Sequence, residues 1–334
     1  MKKTFTKVFA VIFVIAMVAS VFAGCAGQSS SGGKDKVVIW TSGEDYKNEY
    51  YLTEARKKFP QYDIELIYVG SSDIAAKILE EGDKCSADII ASEEYGYLEK
   101  CADYLATLSD FDFSVFLDEI VPESKKYTPE LKNGGCVIVN TKVLADKGIA
   151  EPTSYEDLLK PEFKGLISMP SPKSSGTGYM FLRQLTNEWG EDKAFEYFDK
   201  FSENVLQYTS SGSGPVKALE AREAAVGLGM TSQAVVKINA GNDELKILFF
   251  EEGSPYSMYG NAVLKKSAES KAVMDVFNYL STELCKGDNE KYFPDQIYKD
   301  FAPHVDGFPT GIKYGNMAND TLPEKERLLS KWDH

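Results

Sequence analysis

The stretch Pro170-Ser171-Pro172-Lys173-Ser174-Ser175-Gly176-Thr177-Gly178 has residue types and a spacing suited to binding chemistry. It follows a short apolar run, Gly165 to Met169, that predicts a buried strand. It precedes Phe181, Leu185 and Trp189, whose four-residue spacing predicts a helix stopped at Gly190. Ser174, Ser175 or Thr177 is placed to cap that helix. Gly176 and Gly178 leave no Cβ between a ligand and the backbone. The free N–H groups and positive dipole end of such a helix attract an anion, and neighbouring hydroxyls add donors. An ordinary capped strand–turn–helix connection would use the same residues, so the pattern gains its weight from recurrence. Thr41-Ser42-Gly43-Glu44 follows the apolar run Val37 to Trp40, and Gly70-Ser71-Ser72-Asp73 follows Ile64 to Val69. Ala91-Ser92 ends a third run, Ser211 lies in a Ser/Gly turn before Val216, and Thr231-Ser232 ends Ala224 to Met230.

Other chemistries have weaker footing. The chain has two histidines, His304 and His334, and no nucleophile elbow or zinc-protease motif. Ser211-Gly212-Ser213-Gly214-Pro215 looks nucleophilic, but spacing offers it no base, so the sequence argues against an enzyme. A ferric site wants several convergent hard oxygen donors, for which Glu44, Glu252, Tyr256 and Tyr259 are candidates. Tyr50-Tyr51 is an adjacent pair, with Tyr51 on an apolar helix face. Cys85, Cys101, Cys136 and Cys285 match no zinc or redox spacing. A disulfide among them and four buried thiols are both open; Cys85 and Cys101 are the nearest pair in sequence.

Three repeats of strand, small-polar turn and helix predict an α/β fold with parallel strands. Ligands of such sheets bind outside the carboxyl ends of the strands, where these Ser/Gly turns fall. The length suits two αβ lobes. The expected division is residues 37–135 with 260–334 as lobe 1 and 136–259 as lobe 2. The crossings and hinge are expected at Gly134 to Val139 and Phe250 to Ala262. Ahead of them, Lys2, Lys3 and Lys7 precede an apolar run from Val8 to Ala23, shorter than the ~20 residues of a spanning helix. Residues 1–24 therefore predict an export signal and 25–36 a flexible tether. Removing that signal takes three lysines and no acid, which moves the net charge from −14 to −17. Such a balance argues against nucleic acid as a partner and favours solubility.

Phe22-Ala23-Gly24-Cys25 resembles a bacterial lipobox, with Phe22 in place of the usual leucine, which implies acylation of Cys25. With it, Val37 to Trp40 and its turn, Ala87-Asp88-Ile89-Ile90, Pro170 to Gly178, Ala225 to Ser232 and Glu252-Gly253 resemble the extracellular solute-binding proteins of ABC importers. The type is the bilobal one grouped with ferric-iron, phosphonate, sugar-phosphate and thiamine carriers, and the match spans essentially the whole chain after the signal. The resemblance implies two αβ lobes joined by crossing strands, a type II periplasmic-binding-protein fold closing on a ligand. It implies a cleft lined by Thr41, Ser42, Ser71, Ser72, Ser92, Ser174, Ser175, Thr177, Ser211, Thr231, Ser232 and Glu252. Its partners would be permease and ATPase subunits, with a monomer tethered to the membrane outside the cytoplasm and no cofactor. Where ferric members carry adjacent tyrosines this chain has Thr231-Ser232, so the implied ligand is a small organic anion, with ferric iron the alternative.

Overall fold

A computed structural model describes residues 34–334. The signal and lipobox readings, including acylation of Cys25, lie outside the described residues. The elements in chain order are β1 (Lys36–Thr41), α1 (Asp45–Lys58), β2 (Asp63–Tyr68), α2 (Ser71–Glu81), β3 (Ile89–Glu94), α3 (Tyr95–Lys100) and β4 (Tyr127–Asn140). They continue with α4 (Thr141–Lys147), β5 (Ile167–Pro170), α5 (Gly176–Trp189), α6 (Glu191–Ser202), β6 (Val205–Thr209), α7 (Gly214–Glu220), β7 (Val226–Met230) and α8 (Thr231–Asn239). The last are β8 (Leu245–Leu248), β9 (Tyr256–Val263), α9 (Lys271–Tyr279), α10 (Cys285–Tyr292) and α11 (Leu322–Ser330).

The strands run β2-β1-β3-β9-β4-β7-β5-β6, with β8 also paired to β4. Strand β1 is parallel to β2 and β3, and β5 is parallel to β6 and β7. Two long antiparallel strands join these halves. Residues 127–134 of β4 pair with β9, whereas residues 135–140 pair with β7 and β8. The chain thus passes between halves at Gly134 and Gly135, beside the expected boundary. The return occurs earlier than residue 260, because Tyr256 of β9 already pairs with Gly134.

Unalternating apolar strands arise because helices cover both faces of each half. In β1, Val37 and Ile39 join one core with Tyr51 and Phe277, while Val38 and Trp40 join another with Ile74 and Leu98. In β4, Val137 and Val139 pack on the Phe181 side, while Cys136 and Ile138 pack on Val216 and Leu219. All four described cysteines are buried free thiols. Burial pushes the Cys101 and Cys136 thiols up to about 12. Tyr51 lies in the core as expected, and its neighbour Tyr50 packs against the same core from its edge, with ring centroids 5.9 Å apart.

One expectation needs correction. The chain after residue 260 does not pack on lobe 1 alone. Met317, Leu328 and Trp332 enter the core of lobe 2, where Trp332 meets Phe198 with ring centroids 5.0 Å apart. Leu328 and Trp332 form the apolar side of an otherwise charged helix and bury it against Phe198. From that seat α11 reaches back to lobe 1, where Lys325 forms a buried ion pair with Glu94.

Candidate functional site

The turns after β1, β2, β3, β5, β6 and β7 converge because parallel strands deliver their carboxyl ends to one edge. Between them lies a cleft of about 610 Å³ counting its open mouth, within the usual size of a small-molecule site. Seven of the twelve expected residues line it: Ser42, Ser71, Ser92, Ser174, Ser175, Thr177 and Ser211. Glu44, Tyr46, Lys47, Tyr68, Asn133, Met230, Tyr259 and Phe293 complete much of the wall.

The lobe 2 wall is built for hydrogen-bond donation. Ser175 occupies the N-cap position of α5, yet its hydroxyl makes no capping bond. That hydroxyl and the first N–H groups of the 14-residue helix are thus uncommitted. The loop is folded by its own backbone, since Ser171 accepts from the N–H groups of Ser174 and Ser175 at 3.2 and 3.0 Å. Gly176 fits against Glu94 and the Tyr259 hydroxyl, where a Cβ would stand 3.3 to 3.4 Å from both.

Five expected residues do not line the cleft. Thr41 is fully buried and accepts from the Gly43 N–H at 3.0 Å, so it shapes the turn. Ser72 lies one position behind Ser71 and reaches the Ser174 carbonyl at 3.5 Å. Thr231 is fully buried, and Ser232 donates to the side chain of Asn133 at 3.3 Å. Glu252 lies elsewhere: its carbonyl accepts from Gln184, eight residues into α5 and about two turns from the cleft. The cause is Phe250, which is drawn into the lobe 2 core against Tyr155 at 5.0 Å and carries the next turn with it.

Lys47 is the charged lining residue that the sequence reading did not expect. It is 2% exposed, ion-paired with Glu130, and 3.3 Å from Asp288. Its position four before Tyr51 and eight before Ala55 put it on the buried face of α1, a signal present in the spacing. Glu130 also accepts from Ser92 at 2.8 Å and Tyr51 at 3.0 Å. Ser92 is held at φ 54, with its N–H on Asn261 at 3.0 Å. The buried cluster therefore fixes a residue of the cleft wall.

A second buried group sits where β3, α3, α5 and α11 meet. Glu93 and Glu94 are almost wholly buried, and Lys325 pairs with Glu94 while lying over the rings of Tyr97 and Tyr179. Burial, and then Glu94, push the Glu93 carboxyl up to about 8, and the same two causes push Asp320 up to about 6. At Glu93 the unfolded chain releases its proton near pH 4.5 while the folded chain keeps it to about 8, so stability falls across that window as pH rises. Glu93→Gln should remove this decline, gaining on the wild type between pH 5 and 8.5 in urea unfolding. A difference independent of pH would refute it.

A family model described as bacterial extracellular solute-binding protein matches residues 94–286. An uncharacterized protein of Haemophilus influenzae is 29% identical over 258 residues, covering 73% of this chain and 72% of that one. Among solved structures, the periplasmic binding protein AfuA from Actinobacillus pleuropneumoniae, with fructose-6-phosphate bound, superposes at a TM-score of 0.80 and 23% identity. That match covers 90% of this chain and 98% of AfuA. Iron-bound HitA from Pseudomonas aeruginosa gives a TM-score of 0.74 at 17% identity, covering 89% and 99%. At those identities the structures establish the fold, a mixed α/β periplasmic-binding-protein fold. The family model covers more than half of the sequence, and the chain belongs to the bacterial extracellular solute-binding proteins.

Proposed function

We propose that this solute-binding protein captures a small organic anion of the sugar-phosphate or phosphonate type between its lobes and passes it to an ABC permease with ATPase subunits. The observation that carries the reading is the uncommitted N-terminus of α5, where the free Ser175 hydroxyl, Thr177 and unpaired N–H groups face the cleft. The structure of AfuA with fructose-6-phosphate bound is consistent with it. The protein works as a monomer held outside the cytoplasmic membrane by a lipid on Cys25. The ligand's phosphoryl oxygens sit at Ser174, Ser175 and Thr177, with the hydroxyl of Ser211 opposite, and closure of the lobes about β4 and β9 excludes water.

Each lost charge-assisted hydrogen bond costs ~1–3 kcal/mol, so Ser175→Ala with Thr177→Val should weaken a phosphorylated ligand at least ~tenfold. Calorimetry with fructose 6-phosphate, glucose 6-phosphate, methylphosphonate and ferric citrate is the test. Tight ferric binding untouched by these two changes would overturn the anion reading.

A further inference from the structure

The cleft and the shell behind it carry more acid than base. Glu44 and Lys47 are the charged residues among those lining the cleft. Lys47 is already engaged by Glu130 and Asp288. Behind Gly176 and Ser71 lie Glu93, Glu94 and Asp320, with Lys325 as their nearest ammonium group. Arg183 close by is paired with Glu324 at 2.8 Å. Lys173 and Lys217, near the two Ser/Gly turns, are exposed to solvent. A phosphate entering this cleft meets hydroxyls and N–H groups but no free buried cation.

Glu44 has an unusual partner. Its Oε1 accepts from the Gln233 side-chain N–H at 2.6 Å, which joins the turn after β1 to α8 across the cleft. Gln233 is 5% exposed, and its Oε1 has no hydrogen-bond partner. The hydroxyl of Tyr46, another lining residue, is also unpartnered. A buried amide oxygen and a desolvated carboxylate are both acceptors, and each is costly to leave unsatisfied. The cations nearest Glu44 are Lys47, held by Glu130 and Asp288, and Lys217, exposed to solvent, so this corner offers acceptors to a ligand, whereas the α5 turn offers uncommitted hydroxyls and N–H groups. One molecule carrying both donors and acceptors satisfies both ends.

We propose that Glu44, braced by Gln233, is the specificity-determining residue of the cleft, and that it selects phosphorylated or phosphonated ligands carrying an ammonium group over otherwise identical ligands carrying a hydroxyl. An ammonium group brings three donors, no acceptor and the charge that the surrounding carboxylates lack; a hydroxyl brings one donor and no charge. The inference rests on the anion reading above.

Titration calorimetry on the full chain with two matched pairs tests it: glucosamine 6-phosphate against glucose 6-phosphate, and phosphoethanolamine against 2-hydroxyethyl phosphate. The expected result is that the amine binds at least tenfold tighter in one pair, and that Glu44→Gln brings that ratio within about twofold. Glutamine keeps the volume, and Glu44 makes no side-chain cap to α1, so folding should persist. Gln233→Met is the second variant and should lower the same ratio. Equal affinities within both pairs, or an amine preference that survives Glu44→Gln, overturn the inference while Ser175→Ala with Thr177→Val still weakens every phosphorylated probe. Absence of binding by these four and by fructose 6-phosphate and methylphosphonate, or binding untouched by the Ser/Thr changes, overturns the anion reading and this inference with it; binding of fructose 6-phosphate or methylphosphonate with none of the four overturns this inference alone.

Discussion

Lys47→Met should destabilise the folded protein by about 3–5 kcal/mol, the usual cost of stranding buried charges by removing their partner. Lys47 stands between Glu130 and Asp288, both fully buried. Burial, opposed by Lys47, already pushes the Asp288 carboxyl up to about 6. Without the lysine, both carboxyls must take up protons or remain uncompensated in an apolar surround. The loss should therefore be smaller at pH 5 than at pH 8, since acid supplies the missing protons. Lys47→Met combined with Glu130→Gln and Asp288→Asn should recover most of the stability, because three neutral side chains leave no stranded charge. Urea unfolding of the three proteins, wild type included, at both pH values measures this. A single-mutant loss below ~1 kcal/mol, or a triple mutant no better than the single, would show that the cluster is not the support inferred here.

Val37 to Trp40 could be read as a strand buried on both faces because alternate side chains enter two different apolar cores. The start of β4 was less legible. Pro129, Lys132 and Asn133 interrupt its apolar pattern, yet Tyr127 to Gly134 are held by pairing with β9, more than a hundred residues away. The Ser/Gly turns reached one edge as expected, since strand direction alone places them there. What spacing could not supply was depth. Thr41 and Ser232 have the right type and position in the chain, but their hydroxyls turn inward to Gly43 and Asn133. The resemblance implied Glu252 as a cleft carboxylate, but aromatic packing by Phe250 decided where the turn after β8 went. Glu44 was visible as an isolated oxygen donor. Its brace, Gln233, comes from α8, 189 residues further along the chain, which no local pattern encodes. The seat of α11 on lobe 2 is likewise a long-range contact, with Leu328 and Trp332 joining a core more than a hundred residues earlier in the chain.

Gly178→Ala should damage binding severely while leaving a folded protein. Gly178 sits in the first turn of α5, packed on the loop that leads into it. A Cβ there would stand 2.7 Å from Ser171 C and Pro172 N, and closer still to the Pro170 carbonyl oxygen. All three are backbone atoms, so no side-chain rotation relieves the clash. Either α5 slides outward or residues 170–172 move. Both responses disturb Ser171, whose carbonyl holds the N–H groups of Ser174 and Ser175. Overpacking of this kind costs ~1–3 kcal/mol of stability. The larger effect is on the ligand, because Ser174, Ser175 and Thr177 lose their common geometry at once. Losing two such bonds corresponds to ~3 kcal/mol and hence about a hundredfold weaker binding. A thermal melt and calorimetry on the same preparation separate the effects, with the probe taken as whichever sugar phosphate or phosphonate binds the wild type most tightly. Wild-type affinity in a folded Gly178→Ala protein would mean that the α5 turn does not hold the ligand, and the anion site would have to be sought on another wall of the cleft.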